Sequence, residues 1–230
     1  INVVKNNVET ESISDLDETD ANSDKQVSGG TGVGISMAPV VYNGKVIIGI
    51  TGVGYGLHVE EEGSNTPLGA VVGVSGKYGR SGFLAAYDIH SGQQIWQFNT
   101  ILKSGWEGNF NNFIEDGLTL NRDIYHEKAT LEKYPNGAEF GGGSAWTTPA
   151  IDKETNTLFF GTGNPSPQMS AETRPGDNLY TVSIVALDAE TGKLKWYYQQ
   201  VPHDIWGYDV ASPPVLFYAY HDGQVIPAVA

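Results

Sequence analysis

The chain contains 230 residues with a formal net charge of −14, no cysteine, 29 glycines and only 17% charged residues. The absence of cysteine excludes disulfides, thiolate metal sites and cysteine nucleophiles within these residues, and the excess of 27 acidic over 13 basic residues argues against a nucleic-acid partner. The glycine content is about twice the ordinary share, which favours short strands joined by turns over a helical bundle.

Residues 8–25 form the most acidic stretch of the chain. They carry seven carboxylates against Lys25 alone, so they bury little apolar surface, and we expect a solvated acidic loop. A cation-binding loop is the alternative interpretation, although the spacing of the carboxylates fits no EF-hand pattern.

The first β-rich element is predicted over residues 37–49, as two strands joined by Asn43-Gly44. An Asn-Gly pair supplies the two positive φ values that a tight hairpin turn needs. The same strand–turn–strand design recurs over residues 148–161, and a third copy begins over residues 213–223. The chain is therefore predicted to be all-β.

A second repeated element links residues 84–96 with residues 184–196. Both segments have the pattern Ala-x-Asp-x-x-x-Gly-x-x-x-Trp. In each, an apolar strand enters a turn whose Asp accepts backbone N–H bonds and whose Gly takes a positive-φ position. We expect Trp96 and Trp196 to occupy equivalent positions in successive structural units.

Internal repeats built from short strands are typical of β-propellers, whose blades are four-stranded antiparallel sheets. The repeated units stand farther apart than a minimal blade requires, so long inserted loops are predicted at residues 53–82 and 101–140. Residues 1–230 are therefore predicted to be one partial β-propeller of about three blades. Because complete propellers contain about four to eight blades, the remaining blades are expected as partners outside these residues.

Four short blocks in chain order add a more specific pattern. They are residues 141–146 (Gly-Gly-Gly-Ser-Ala-Trp), 161–167 (Gly-Thr-Gly-Asn-Pro-Ser-Pro), 174–178 (Arg-Pro-Gly-Asp-Asn) and 202–209 (Pro-His-Asp-Ile-Trp-Gly-Tyr-Asp). Together with the two Asp–Gly–Trp strand ends, these blocks resemble the pyrroloquinoline quinone (PQQ) dehydrogenases. The resemblance implies part of an eight-bladed propeller of the superfamily that includes methanol, ethanol and membrane glucose dehydrogenases.

The resemblance implies PQQ as cofactor and matches several residues to its binding. Trp146 matches the tryptophan whose indole forms the floor under the planar cofactor, and a flat ring after three glycines suits that task. Ser36 matches a hydroxyl residue that bonds a cofactor carboxylate. A second such hydroxyl matches Thr51 or, because residues 53–82 hold an apparent insertion, Ser75, and both alternatives stay open.

The implied metal site departs from the family pattern. Asn164 matches the family's metal-ligating asparagine, so the resemblance implies Ca²⁺ or a lanthanide as a further cofactor. The family's metal-binding glutamate, in contrast, corresponds to Gly54 or Lys77, and neither binds a divalent cation in that way. The glutamates at 60–62 could substitute for it, and a solvated acidic loop is the alternative.

The position of the family's catalytic base also differs, because it corresponds to Gly207, which has no side chain. Asp209 is the predicted substitute, as catalytic base or as metal ligand, since residues two apart on a strand face the same side. A cation-bound carboxylate has a lowered pKa and accepts protons poorly, so one carboxylate hardly fills both roles. His203 and Asp204 are predicted to serve the turn itself.

These matches imply PQQ-dependent oxidation of an alcohol or sugar, with electrons passing to a cytochrome c or a quinone. The family works in the periplasm or outside the cell, which is therefore the expected location. A non-catalytic propeller, acting as a binding or assembly scaffold, is the alternative. Trp146 and Asn164 favour the enzyme, whereas Gly207 and the Gly54 or Lys77 position favour the scaffold.

Overall fold

The computed structural model describes residues 35–50, 57–58, 69–70, 81–114, 116–135, 137–166 and 171–230. The strands are β1 (Val40–Tyr42), β2 (Lys45–Ile50), β3 (Leu57–His58), β4 (Gly69–Ala70), β5 (Phe83–Asp88), β6 (Gln94–Asn99), β7 (Ala150–Asp152), β8 (Thr157–Gly161), β9 (Ser183–Asp188), β10 (Leu194–Gln199), β11 (Leu216–His221) and β12 (Gln224–Val229). The helix α1 (Ile124–Thr130) and two 3-10 helices (Leu131–Lys133 and Gly137–Phe140) lie between β6 and β7. Within these ranges, no helix is both long and apolar enough to span a bilayer.

Two four-stranded antiparallel sheets form the framework of the described part. The first has the strand order β1-β2-β5-β6 and the second has the order β7-β8-β9-β10, so each sheet follows the chain from strand to strand. β3 pairs with β4 in the connection between β2 and β5, and β11 pairs with β12 after the second sheet. The prediction of four-stranded antiparallel units with long inserted loops is confirmed.

The predicted subdivisions of the chain are covered unevenly by the described residues. The insertion at 101–140 falls in the connection between β6 and β7, which holds α1 and both 3-10 helices. The acidic stretch 8–25 lies outside the described residues, and so does most of the insertion at 53–82. The division of residues 1–230 into about three blades stays a prediction.

The Asp–Gly–Trp repeat has the same pairing in both sheets, as predicted. Trp96 on β6 pairs with Ala86 on β5, and a register shift lies beside this pair. Trp196 on β10 pairs with Ala186 on β9, again beside a register shift. The two tryptophans therefore occupy equivalent positions in their own sheets.

The two turns of the repeat share one design, and the second of them docks one sheet on the other. The carboxylate of each turn acid, Asp88 or Asp188, accepts the backbone N–H groups two and three residues further on, at 2.7–3.1 Å. Gly192, with φ +69°, approaches the Trp96 indole so closely that a Cβ atom there would stand 2.5 Å from the ring. Trp96 is consequently only 7% exposed, whereas Trp196 is 42% exposed.

The hydrophobic core lies between the two sheets, where apolar burial supplies most of the stabilisation. It contains Ile47, Leu84 and Ala86 from the first sheet and Leu158, Phe160, Val185 and Leu187 from the second. Two polar contacts join the sheets at the edge of this core. Tyr42 Oη donates to Asn156 Oδ1 at 3.0 Å, and the Nζ atom of buried Lys45 lies 2.6 Å from Glu190 Oε1.

Residues 141–145 lie against the end of the first sheet. The Ala145 N–H donates to the Ile50 carbonyl at 3.2 Å, which attaches this segment to the last residue of β2. The approach requires a position without a side chain, because a Cβ atom on Gly49 would collide with the Ala145 carbonyl oxygen. This contact fixes the backbone that carries Trp146.

Candidate functional site

Three segments that are distant in the chain meet beyond the end of β8. We name them the tryptophan segment (141–146), the asparagine turn (161–166) and the aspartate loop (202–210). The Gly163 N–H donates to the Ser144 carbonyl at 2.8 Å, and the Val210 N–H donates to the Thr162 carbonyl at 3.2 Å. The asparagine turn is thus bonded to the tryptophan segment on one side and to the aspartate loop on the other.

Asn164 and Asp209 come into direct contact at this junction. The Asn164 backbone N–H donates to Asp209 Oδ1 at 2.5 Å. Gly163 leaves room for this carboxylate, because a Cβ atom at position 163 would stand 2.8 Å from the same oxygen. Asn164 is buried, and its Nδ2 donates to the Pro165 carbonyl at 2.8 Å, which fixes the orientation of the amide. The structure therefore brings together two of the residues that the sequence analysis selected.

The surroundings of Asp209 alter its affinity for protons. Burial raises the pKa of the Asp209 carboxyl, the bond from the Asn164 N–H opposes that rise, and the negative charge of Asp204 adds to it. The net pKa is raised, because loss of water disfavours the charged carboxylate more than one N–H bond favours it. A carboxylate with a raised pKa is a better proton acceptor than an exposed one.

Trp146 is half-buried at the end of the tryptophan segment. Gly142 and Gly143, with φ of +77° and +65°, shape the approach to it in a left-handed conformation that residues with a side chain rarely adopt. A partly exposed indole on such a fixed backbone is a suitable floor for a planar quinone. The partial exposure of Trp146 is therefore compatible with a stacked planar cofactor such as PQQ.

Of the hydroxyl residues predicted to bond the cofactor, Ser36 lies within the described part of the chain. Ser36 is exposed and precedes Met37, whose sulfur accepts the Gly49 N–H at 2.7 Å. Because Gly49 abuts Ala145, Ser36 lies at the same end of the first sheet as the tryptophan segment. The positions outside the described residues are Thr51, Gly54, the glutamates at 60–62, Ser75 and Lys77.

The aspartate loop corrects one expectation from the sequence. No strand forms over residues 200–215, so the argument that Gly207 and Asp209 face the same side of a strand is wrong. Asp209 instead follows a turn in which Gly207 has φ +77°. Asp204 holds this turn, because its two carboxylate oxygens accept the N–H groups two and four residues further on, at 2.9 and 2.8 Å. A turn, and not strand alternation, therefore delivers Asp209 to Asn164.

His203 is a second residue that serves this loop. Its Nδ1 lies 2.7 Å from the Gly176 carbonyl oxygen, and its backbone N–H donates to the Asp177 carbonyl at 3.1 Å. Burial lowers the pKa of His203 to about 4, and the positive charges of Arg122 and Arg174 contribute. The imidazole is therefore neutral at pH 7 and donates its Nδ1 proton to Gly176, which agrees with the predicted role in the turn.

Sequence reasoning missed a buried group of charges that joins the connection between β6 and β7 to the block at 174–178. Arg122 donates to both carboxylate oxygens of Glu127, at 2.9 and 2.7 Å, and to Asp177 Oδ1 at 2.6 Å. Asp177 is fully buried, and Glu127 Oε2 also accepts the Gly176 N–H at 2.9 Å. The Arg-Pro-Gly-Asp-Asn block was visible in the sequence, but its partners in the insertion carry no repeat or spacing that could identify them.

Arg174 links this group to the aspartate loop. Its side chain is fully buried, and it donates to Asn178 Oδ1 and to the Asp204 carbonyl oxygen, both at 2.7 Å. Burial lowers the pKa of Arg174 to about 10, so the guanidinium keeps its charge at neutral pH. The first residues of the aspartate loop are thereby attached to the block that follows the asparagine turn.

Asn164 and Asp209 carry an amide and a carboxylate oxygen, which are ligand types of hard cations such as Ca²⁺, an ion that takes about six to eight oxygens. The contact between the two residues is made by the Asn164 backbone N–H, so it does not place the amide oxygen beside the carboxylate. Within the described ranges, no three or more His, Cys, Asp or Glu side chains form a group that could hold a metal ion. Further ligands would therefore have to come from the cofactor and from residues outside those ranges.

Docked four-stranded antiparallel sheets are the building units of a β-propeller. Residues 13–230 match the family model described as "PQQ: Glucose/ethanol/alcohol dehydrogenase, beta-propeller domain". The chain belongs to this family, and its fold is a partial β-propeller, as predicted.

Several curated proteins are similar to this chain. Quinoprotein alcohol dehydrogenase PedH of Pseudomonas putida is 31% identical over 199 residues, covering 86% of this chain and 29% of that protein. Methanol dehydrogenase (cytochrome c) subunit 1 of Methylobacterium organophilum is 33% identical over 189 residues, covering 81% of this chain and 25% of that protein. The chain thus spans about a quarter of the length of these relatives.

Solved structures agree with this assignment. The quinohemoprotein alcohol dehydrogenase from Comamonas testosteroni superposes with a TM-score of 0.58 at 30% identity, over 86% of this chain and 25% of that one. A europium-containing methanol dehydrogenase superposes with a TM-score of 0.59 over 86% of this chain and 30% of that one; at 24% identity, this likeness shows the fold alone.

Proposed function

We propose that this chain forms part of a PQQ-dependent dehydrogenase that oxidises an alcohol or a sugar. The observation that carries the proposal is the 2.5 Å bond between the Asn164 N–H and Asp209 Oδ1, in a turn bonded to the segment that ends in Trp146. The names of the relatives, which are alcohol and methanol dehydrogenases, support this kind of reaction.

The chain's own residues would bind and orient the cofactor, while PQQ, when bound, supplies the capacity to accept electrons from the substrate. Trp146 is proposed to lie under the plane of the quinone. Ser36, and either Thr51 or Ser75, are proposed to donate hydrogen bonds to the cofactor's carboxylates. Asn164 is proposed to offer its amide oxygen to Ca²⁺ or a lanthanide beside the cofactor.

Asp209 is the proposed reacting carboxylate of the site. Gly207 has no side chain to accept a proton, whereas Asp209 is partly buried with a raised pKa, which suits the base that takes the alcohol proton. Its other available role is that of cation ligand beside Asn164. The two roles compete, because a bound cation would lower the pKa of the carboxyl.

The whole protein is proposed to pass electrons to a cytochrome c or a quinone and to work in the periplasm or outside the cell. The name of one relative, methanol dehydrogenase (cytochrome c), supports the first of these acceptors.

A non-catalytic scaffold is the second candidate function. Gly207 favours it, because the position that matches the family's base has no side chain and lies in a left-handed turn, with φ +77°. Such a protein would keep the docked sheets and bind a partner through them without turning over a substrate.

A cofactor titration of the whole protein tests the proposed function. We expect PQQ, added with Ca²⁺, to quench tryptophan fluorescence, and Trp146→Ala to weaken its binding by about 2 kcal/mol through loss of the stacking surface. Asp209→Ala is expected to abolish alcohol-dependent reduction of an artificial electron acceptor. Trp96→Phe, on the sheet interface, is the matched control and should bind PQQ as the parent does. Failure of the parent protein to bind PQQ would leave the scaffold as the better account.

A further inference from the structure

We propose that Asp204 is a positioning residue that sets the distance between Asp209 and Asn164. Asp204 directs both of its carboxylate oxygens to the backbone of the aspartate loop, so its influence reaches the site through Asp209. The functional consequence rests on the function proposed above, whereas the geometric consequence does not.

Asp204 is itself firmly held. It is only 2% exposed, and its carbonyl oxygen accepts a bond from the fully buried guanidinium of Arg174 at 2.7 Å. The preceding residue, His203, is bonded through both its backbone N–H and its imidazole to the Gly176–Asp177 backbone, at 3.1 and 2.7 Å. The start of the aspartate loop is therefore anchored to a buried part of the fold.

The carboxylate of Asp204 determines the course of the loop. It accepts the N–H groups of Trp206 at 2.9 Å and Tyr208 at 2.8 Å, one with each oxygen. Trp206 and Tyr208 are 66% and 57% exposed, so their packing within the described part does little to hold the turn. Gly207 lies between these two residues and takes a left-handed φ of +77°, so the two bonds hold the backbone on both sides of this glycine.

The turn held by Asp204 leads directly to the site. Asp209 follows Tyr208 directly, and its Oδ1 accepts the Asn164 N–H at 2.5 Å, while the Val210 N–H is bonded to the Thr162 carbonyl at 3.2 Å. If the bonds to Asp204 are lost, the residues between Asp204 and Asp209 gain freedom and the carboxylate moves from its place. A shift of about 1 Å at a reacting group is sufficient to impair catalysis about 100-fold.

The experiment compares Asp204→Ala with Asp188→Ala in the whole protein. Asp188 is a matched control, because its carboxylate also accepts two backbone N–H groups of a turn, at 3.1 and 2.9 Å, but in the turn that connects β9 to β10. Hydrogen exchange of the peptide containing Asn164 reports the Asp209 contact without cofactor, and titration with PQQ and Ca²⁺ reports the site. We expect Asp204→Ala to accelerate exchange at Asn164 about tenfold or more and to weaken cofactor binding about 10–100-fold, with neither change in Asp188→Ala.

A double-mutant cycle separates positioning from a general loss of structure. If Asp204 acts through Asp209, then Asp204→Ala should have no further effect on cofactor affinity in a protein that already carries Asp209→Ala. Multiplicative effects, or unchanged exchange at Asn164 in Asp204→Ala, would overturn the proposal. Should Asp204→Ala not fold, Asp204→Asn keeps one acceptor oxygen and is subjected to the same measurements. If the parent protein binds no PQQ, the proposed function fails while the exchange experiment still decides the role of Asp204.

Discussion

Positions without a side chain shape the site as much as the carboxylate does. A Cβ atom on Gly163 would stand 2.8 Å from Asp209 Oδ1, and the φ of Gly163 is not positive. The site therefore requires the absence of a side chain at position 163 and not an unusual backbone conformation. Gly207, in contrast, is needed for its left-handed φ of +77°. The two glycines therefore contribute to the placement of Asp209 in different ways, which can be tested separately.

Replacing Gly163 by Ala should displace the carboxylate at little cost to the fold. The added methyl group meets the movable end of Asp209 and, at 3.2 Å, the Cβ atom of Ser144, so we expect a loss of about 1 kcal/mol in the free energy of unfolding. Turnover should fall about 100-fold, because the carboxylate leaves its place. Urea unfolding and steady-state kinetics measure the two effects. A fully active Gly163→Ala protein would show that the Asp209 position does not matter.

The repeated turn is the element that joins the sheets. Asp88 and Asp188 close two turns of the same design, yet the turns have different neighbours, since Gly192 of the second turn lies on the indole of Trp96. The turn therefore has two roles. It ends a strand, and its glycine, which has no side chain, packs on the tryptophan of the preceding sheet. The contact at Gly192 is specific to the pair of sheets, whereas the hydrogen bonds of the turn are local.

Substituting Gly192 by Ala should therefore cost more than the same change in an isolated turn. Gly44 is the matched control, because it has nearly the same φ, +72° against +69°, with nothing within 4 Å of an added Cβ atom. We expect about 1 kcal/mol of destabilisation for Gly44→Ala from the left-handed conformation alone, and about 3 kcal/mol for Gly192→Ala, where the methyl group also meets Trp96. Urea unfolding of both variants measures the difference, and equal losses would contradict docking through Gly192.

Across the whole molecule, the features that could be predicted are those encoded by local repetition. The Asn43-Gly44 turn and the Asp–Gly–Trp turns each depend on a few consecutive residues. Their pattern therefore predicted the hairpins and the equivalent positions of Trp96 and Trp196. The placement of Asp209 at the site was predicted from an incorrect premise, because the segment is a turn and not a strand.

The buried charges lay beyond sequence reasoning for a physical reason. Arg122 and Asp177 are 55 residues apart, and they meet only because the connection between β6 and β7 folds back on the block at 174–178. No periodicity or spacing in the chain records such a meeting, since it depends on how two irregular segments pack. His203 lies where this group and the aspartate loop join, 3.5 Å from Glu127 Oε2, so its protonation reports on the junction.

Acidification should loosen this junction through His203. The pKa of the His203 imidazole is 6.5 in the unfolded chain and about 4 in the folded protein. Burial is the largest cause of this decrease, and the positive charges of Arg122 and Arg174 add to it. The Glu127 carboxylate and the hydrogen bond to the Gly176 carbonyl raise the pKa, but they offset the decrease only in part. Between these two values the unfolded chain binds the proton and the folded chain does not, so the free energy of unfolding falls as the pH drops through that window, by up to about 3 kcal/mol. His203→Asn should remove this pH dependence, because Asn accepts the left-handed φ of +55° and can still donate to the Gly176 carbonyl.

Urea unfolding from pH 7 to pH 4 measures how the free energy of unfolding of His203→Asn and of the parent protein depends on pH, with His90→Asn, at an exposed position, as control. An unchanged slope in His203→Asn would show that other groups govern the acid sensitivity.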